Sequence, residues 1–150
     1  VTGIAHIYVS VTDLDRSTDF YDRVMRAMGF KKSGGQPPGT GETHVHYFNR
    51  VTQYTLRPAR PNAPAFVSGT TGLHHLCFYV DSDAEVDALY EMLRTTGVRC
   101  DAPDAYPQYE DGYYAIFFED PDGIRLEVRS MNTFRRETAE YWREIPDGFA

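Results

Sequence analysis

The stretch Phe117-Phe118-Glu119-Asp120-Pro121-Asp122-Gly123-Ile124-Arg125-Leu126-Glu127-Val128 reads as a β-hairpin. An apolar run, Ile116 to Phe118, enters Asp-Pro-Asp-Gly, where the proline presets φ and the glycine admits φ > 0. The chain returns as alternating Ile124, Leu126 and Val128, so Arg125 and Glu127 take the opposite face. If the aliphatic set faces a core, Glu127 points away from it, into solvent or into a site. What covers that other face decides which.

Upstream of the hairpin, His74-His75-Leu76-Cys77-Phe78-Tyr79-Val80 reads as a strand, followed by an Asp81-Ser82-Asp83 cap region. A helix carrying Val86, Leu89, Tyr90 and Leu93 then runs to Gly97. The same order stands in the first half. Ile4 to Val11 alternates Ile7, Val9 and Val11 with His6, Tyr8 and Ser10, and Asp13 is placed to N-cap a helix carrying Phe20, Tyr21, Val24 and Met28, stopped by Gly29. At an offset of 69, His6 falls on His75, Val11 on Val80, Phe20 on Leu89 and Tyr21 on Tyr90. This is an internal repeat of strand, helix and further strands, with His44 to Phe48 and Gln53 to Arg57 as strands of the first copy. Thr55 is then the counterpart of Glu127. Residues 31–43, rich in Gly and Pro, read as loop, and 58–72 as the linker between copies.

The expected fold is therefore α+β: two βαβββ units, about 4–57 and 73–130, forming a curved antiparallel sheet around a shared cavity. A C-terminal helix is expected at about 133–144, carrying Phe134, Tyr141 and Trp142. By strand alternation the cavity receives His6, Tyr8, Gln53, Thr55, His75, Cys77, Arg125 and Glu127. The loop Ala105 to Tyr114 is rich in tyrosine. Its rings, Tyr114 among them, either roof the cavity and stack on a flat substrate or pack the loop down.

Composition bounds the rest. A chain of 150 residues, 41% hydrophobic and 25% charged, is long enough for a core without disulfide staples. Cys77 and Cys100 form no CxxC, so a reducing, cytoplasmic setting is expected. A net charge of −7 without a basic patch argues against nucleic acid, and no apolar run approaches a membrane span. No basic n-region precedes an apolar h-region, and because the chain opens on Val1 rather than Met a trimmed start is expected.

The Ala-His-Ile strand, the Asp-Leu-Asp-Arg-Ser-Thr-Asp-Phe-Tyr helix, Leu-His-His-Leu-Cys-Phe-Tyr-Val and Asp-Pro-Asp-Gly-Ile-Arg-Leu-Glu together resemble the vicinal oxygen chelate superfamily. That superfamily includes glyoxalase I, extradiol dioxygenases, fosfomycin-resistance thiol transferases and bleomycin-binding proteins. The resemblance covers 4–130 and implies metal ligands in the first and last strand of each unit. Carried over by position, these fall on His6, Thr55, His75 and Glu127, of which His6, His75 and Glu127 are good donors. A divalent metal (Fe, Mn, Zn or Ni) is the implied cofactor, and Glu127 the implied catalytic carboxylate. His74 is read as structural. His44 and His46 are read as polar residues of an edge strand, with an extra ligand or acid–base role as the alternative.

The resemblance implies a metal-dependent enzyme that chelates a small substrate through vicinal oxygens, non-haem dioxygenase-like chemistry standing ahead of glyoxalase-like lyase or isomerase chemistry. Tyr8, Gln53, Thr55, Cys77, Tyr114 and Arg125 are the expected substrate contacts, and a homodimer the expected assembly. The chain departs from extradiol enzymes in carrying Phe117 at their signature tyrosine, and from fosfomycin-resistance enzymes in lacking a Lys and Ser cluster between Cys100 and Phe118. The alternative is a metal-free drug or natural-product binding protein, acting by sequestration.

Overall fold

The computed structural model describes residues 3–35, 39 and 41–146. It divides into two compact units, Val1–Gly72 with the turn Asp120–Ile124, and Leu73–Glu119 with Arg125–Ala150. The first unit holds β1 (His6–Val11), α1 (Leu14–Ala27), β2 (Lys31–Gly35), β3 (His44–Phe48) and β4 (Gln53–Pro58). The second holds β5 (Leu76–Val80), α2 (Asp83–Thr95), β6 (Asp104–Ala105), β7 (Tyr114–Glu119), β8 (Arg125–Ser130) and α3 (Thr133–Glu140). A short 3-10 turn, Trp142–Glu144, follows α3 where the sequence suggested one longer helix. Among the described residues no helix is long and apolar enough to cross a membrane.

Each unit is the expected βαβββ arrangement, with one correction. The two four-stranded sheets are mixed, in orders β1-β4-β3-β2 and β5-β8-β7-β6, rather than wholly antiparallel. β1 runs parallel to β4 and β5 parallel to β8, while the remaining pairs are antiparallel. A helical crossover returns the chain to the same end of the sheet, so the first and last strands of a unit meet side by side and in the same direction.

A second correction concerns 31–43. Lys31–Gly35 is a strand, paired along its length with β3 and exposed throughout. Its sequence, KKSGG, has no apolar alternation to announce it. β3 is consequently an interior strand, so His44 and His46 do not lie on an edge. Positions 36–38 and 40 of that expected loop lie outside the described residues.

Helix starts follow local chemistry. Asp13 caps α1 by accepting from the Arg16 amide, and Ser82 and Glu85 form a reciprocal capping box on α2. In the first unit, α1 buries Phe20, Tyr21, Val24 and Met25, while the sheet buries Val9, Val11, Val45, Tyr47, Tyr54 and Leu56. Among the described residues the Ser17 hydroxyl and His44 Nδ1 are enclosed in this unit without a partner, whereas the Tyr54 and Tyr21 hydroxyls of the core form a chain. Tyr54 Oη donates to Tyr21 Oη (2.9 Å), which donates to Asp120 Oδ2 (2.9 Å). Asp120 Oδ1 also accepts from the amides of Asp122 and Ile124, closing the turn that Gly123 completes at φ 86°. Asp122 in turn accepts from Arg16 Nη2 (2.8 Å) and from the amide and hydroxyl of Thr12. In the second unit Val86, Leu89 and Leu93 of α2 are buried with Ile116, Phe118, Leu126 and Val128. Each such side chain contributes about 1.5–3 kcal/mol relative to exposure. With the aliphatic residues of each sheet turned toward the helix, the alternate residues line the other face.

Candidate functional site

In the second unit β8 pairs Glu127 with Cys77 on one side and Phe117 on the other, so the three share the face opposite Leu126 and Val128. His75, just before β5, has the same parity as Cys77. Its Nε2 stands 3.2 Å from Glu127 Oε2. The Glu127 side chain is 2% exposed, and its other oxygen, Oε1, accepts a short hydrogen bond from Tyr113 Oη. At the other nitrogen of its ring, His75 Nδ1 lies 2.7 Å from His74 Nδ1, so His74, read as structural, is in contact with His75.

The surroundings are aromatic and cationic. Tyr106 stands edge-on to Phe117 (5.4 Å) and stacks on Tyr109 (5.9 Å). Arg129 lies over the Tyr113 ring at 3.6 Å and pairs with Glu110 at 2.6 Å. Arg125 lies over Phe117 at 4.9 Å. Burial pushes the Cys77 thiol up to about 12, Glu127 adding to the effect, so the sulfur stays protonated at neutral pH. Burial, together with the bond to Glu127, also raises Tyr113, which remains a hydrogen-bond donor.

The tyrosine expected here, Tyr114, is elsewhere. Three residues from Phe117, it has the opposite parity, and its hydroxyl donates to Asp87 Oδ1 of α2 (2.7 Å), which lifts its pKa to about 12. Tyr113, one residue earlier, is the partner of Glu127. The register of the turn before β7 decides between them, and the repeated Tyr-Tyr hides that register.

In the first unit the same alternation gathers His6, Tyr8, Gln53, Thr55, His44 and His46 on the face away from α1. Tyr8 stands edge-on to both His6 (5.4 Å) and His44 (5.9 Å). His6 is exposed, and among the described residues its imidazole makes no hydrogen bond. Thr55 is fully buried: its hydroxyl is 2.9 Å from His46 Nδ1 and accepts from Gln53 Nε2 (2.7 Å). His44 is nearly buried; its Nε2 lies 3.4 Å from Glu42, which also takes Arg57 Nη2 at 2.7 Å.

Glu127 and His75 fit a cation. The Glu127 carboxylate is buried with His75 as its ion-pair neighbour, while Arg129 on the same strand face is paired with Glu110. Neutral imidazole and carboxylate are also the donor types that borderline divalent metals accept. Among the described residues no group of three or more His, Cys, Asp or Glu side chains is close enough to hold a metal ion. Thr55, the positional counterpart of Glu127, is a hydroxyl already held by two neighbours.

Comparison with known proteins agrees with this architecture. The uncharacterised protein YqjT of Bacillus subtilis (strain 168) is 31% identical over 124 residues, covering 82% of this chain and 94% of YqjT. The metallothiol transferase FosB of Shouchella clausii (strain KSM-K16) is 28% identical over 149 residues, covering 98% and 92%. A crystal structure of a glyoxylase/bleomycin resistance protein/dioxygenase domain from Frankia sp. EAN1pec superposes with a TM-score of 0.72 at 25% identity, covering 88% of this chain and 99% of that one. Residues 3–128, from before β1 to the centre of β8, match the family model of that description. With the repeat and both sheets accounted for, the chain belongs to the glyoxalase/bleomycin resistance protein/dioxygenase superfamily.

Proposed function

We propose that the protein is a divalent-metal-dependent enzyme acting on a small substrate through neighbouring oxygen atoms. The observation that carries this reading is the buried Glu127 carboxylate facing His75 Nε2 at 3.2 Å. His6 is the third donor of the proposal on the strength of the repeat alone, contributed by this chain or by a second copy in a homodimer. A bound divalent ion would supply Lewis-acid polarisation of a substrate oxygen. The chain's own residues do the rest. Tyr113 orients the Glu127 carboxylate through Oε1, leaving Oε2 toward His75. His74 holds the His75 ring from the other side. Glu127 is the group placed to hold or move a proton at its Oε2.

Polar group transfer or lyase chemistry stands ahead of oxygenation, which reverses the order expected from sequence. The reason is the thiol-transferase name of a relative matched over nearly the whole chain, beside the absence of a tyrosine at Phe117. A second reading, sequestration of a flat ligand, is favoured by the Tyr106, Tyr109, Tyr113 and Phe117 cluster. Calorimetric titration of Mn(II), Zn(II) and Fe(II) separates them. Glu127→Gln keeps the side chain's size and removes its charge, so metal affinity should fall at least tenfold while the fold stays intact. Wild-type protein that takes up none of these metals would rule out the enzyme reading. Oxygen consumption by Fe(II)-loaded protein with a catechol would restore the dioxygenase order. A monomeric mass by light scattering would remove the homodimer.

A further inference from the structure

The departure at Thr55 has a structural consequence in the first unit. Gln53 Nε2 reaches Thr55 Oγ1 at 2.7 Å and His46 Nδ1 at 3.2 Å, and Thr55 Oγ1 is itself 2.9 Å from His46 Nδ1. An amide NH2 only donates, so the Gln53 contact makes His46 Nδ1 an acceptor, and the Thr55 hydroxyl, which itself accepts from Gln53, is then the donor of the remaining contact. Both neighbours thereby address Nδ1 as an acceptor. A neutral imidazole with one nitrogen accepting carries its proton on the other, so His46 holds N–H at Nε2. Among the described residues nothing bonds that Nε2, and it is not one of the enclosed, unpartnered atoms. Burial, with His44 beside it, also lowers the pKa of His46, which keeps the ring neutral at neutral pH.

We infer that His46 is a substrate-recognition residue, presenting a neutral, pre-oriented Nε2–H donor to an oxygen acceptor of the substrate, a carbonyl or carboxylate oxygen. Thr55 and Gln53 act through it: they are positioning residues, and Thr55 occupies its strand position as a tautomer lock instead of a metal ligand. The edge-on His44 ring (6.0 Å) and the tilted Phe48 ring (6.0 Å) flank His46 on the same face and limit its swing. A neutral donor of this kind favours a small oxygen-rich molecule without needing a cation, because the hydrogen bond is directional and its donor pays no reorganisation on binding. The inference rests on the reading of a small oxygen-bearing substrate, not on its metal.

The test uses oxalate as the probe of vicinal oxygens. Nitrogen-15 spectra of the metal-free protein should show His46 as the neutral Nε2–H tautomer, with that resonance shifting on addition of oxalate. Calorimetry on metal-loaded protein should show about tenfold weaker oxalate binding for His46→Phe, the usual cost of one hydrogen bond, and recovery of most of it in His46→Gln, which restores an N–H donor. A cationic or Nδ1-protonated His46, a resonance indifferent to oxalate, or wild-type affinity in His46→Phe would each overturn the inference. Wild-type protein that binds no metal but still shows the tautomer and the oxalate shift would leave His46 in its role and remove the metal alone.

Discussion

Asp120 shows how much one side chain can organise. It sits 5% exposed and accepts three hydrogen bonds, from two turn amides and from Tyr21. Burial raises its pKa, and the three donors only partly offset that, so it is a costly carboxylate retained for geometry. Asp120→Ala leaves the Tyr21 hydroxyl and two amides without their acceptor and should cost about 3 kcal/mol, read as a lowered urea midpoint at unchanged slope. The Asp-Pro-Asp-Gly turn was legible in the sequence, since φ > 0 at Gly123 and strand alternation around it follow from residue type. That Glu127 would be enclosed and bonded to Tyr113 was not legible, because burial on that face depends on a loop whose register the adjacent Tyr113 and Tyr114 leave open.

At the scale of elements, the helices followed their caps and the strands their neighbours. Ser82 and Glu85 satisfy each other's backbone amides at the start of α2, so its N-terminus is set by four residues. Ser82→Ala should destabilise the protein by about 1 kcal/mol, visible as a lower thermal midpoint, with hydrogen exchange rising first in the opening turn of α2. β2 illustrates the opposite case. Lys31–Gly35 is a strand because β3 offers it partners, and nothing in its own residues favours that state. Missing it made β3 look like an edge and set aside His46, whose significance lies in being interior and cross-strand to Thr55.

Across the whole molecule the two units keep the same plan while the sheet faces turned away from their own helices diverge. The first carries several imidazoles, an amide, a hydroxyl and the Tyr8 ring; the second carries a carboxylate beside one imidazole, a thiol, aromatic rings and arginines. The second also holds its loop by ion pairs: Glu110 takes Arg129 at 2.6 Å and Arg135 at 2.8 Å. Burial alone would raise Glu110, but the bonds from Arg129 and Asn132 outweigh it and hold its pKa below the ordinary glutamate value. A depressed carboxylate adds stability above its unfolded pKa, and that stability is lost as pH falls through the folded value. Below about pH 4.5 thermal stability should therefore decline, and Glu110→Gln should be less stable at pH 7 while showing a shallower acid decline. A parallel fall of both proteins with acid would show that Glu110 does not contribute.

The residence of Asp120–Ile124 within the first unit also has a meaning in time. A ribosome finishes β4 at Pro58 and the unit's own chain at Gly72, yet the acceptor for the buried Tyr21 hydroxyl is not made until residue 120. At typical synthesis rates of roughly 5–20 residues per second, that gap is a few seconds. During it the nascent first unit holds a Tyr21–Tyr54 pair whose outer hydrogen has no carboxylate to meet, and an Arg16 whose Asp122 is still unmade. The earliest-made unit is thus among the last to be completed, and translation leaves it open until the second is nearly written.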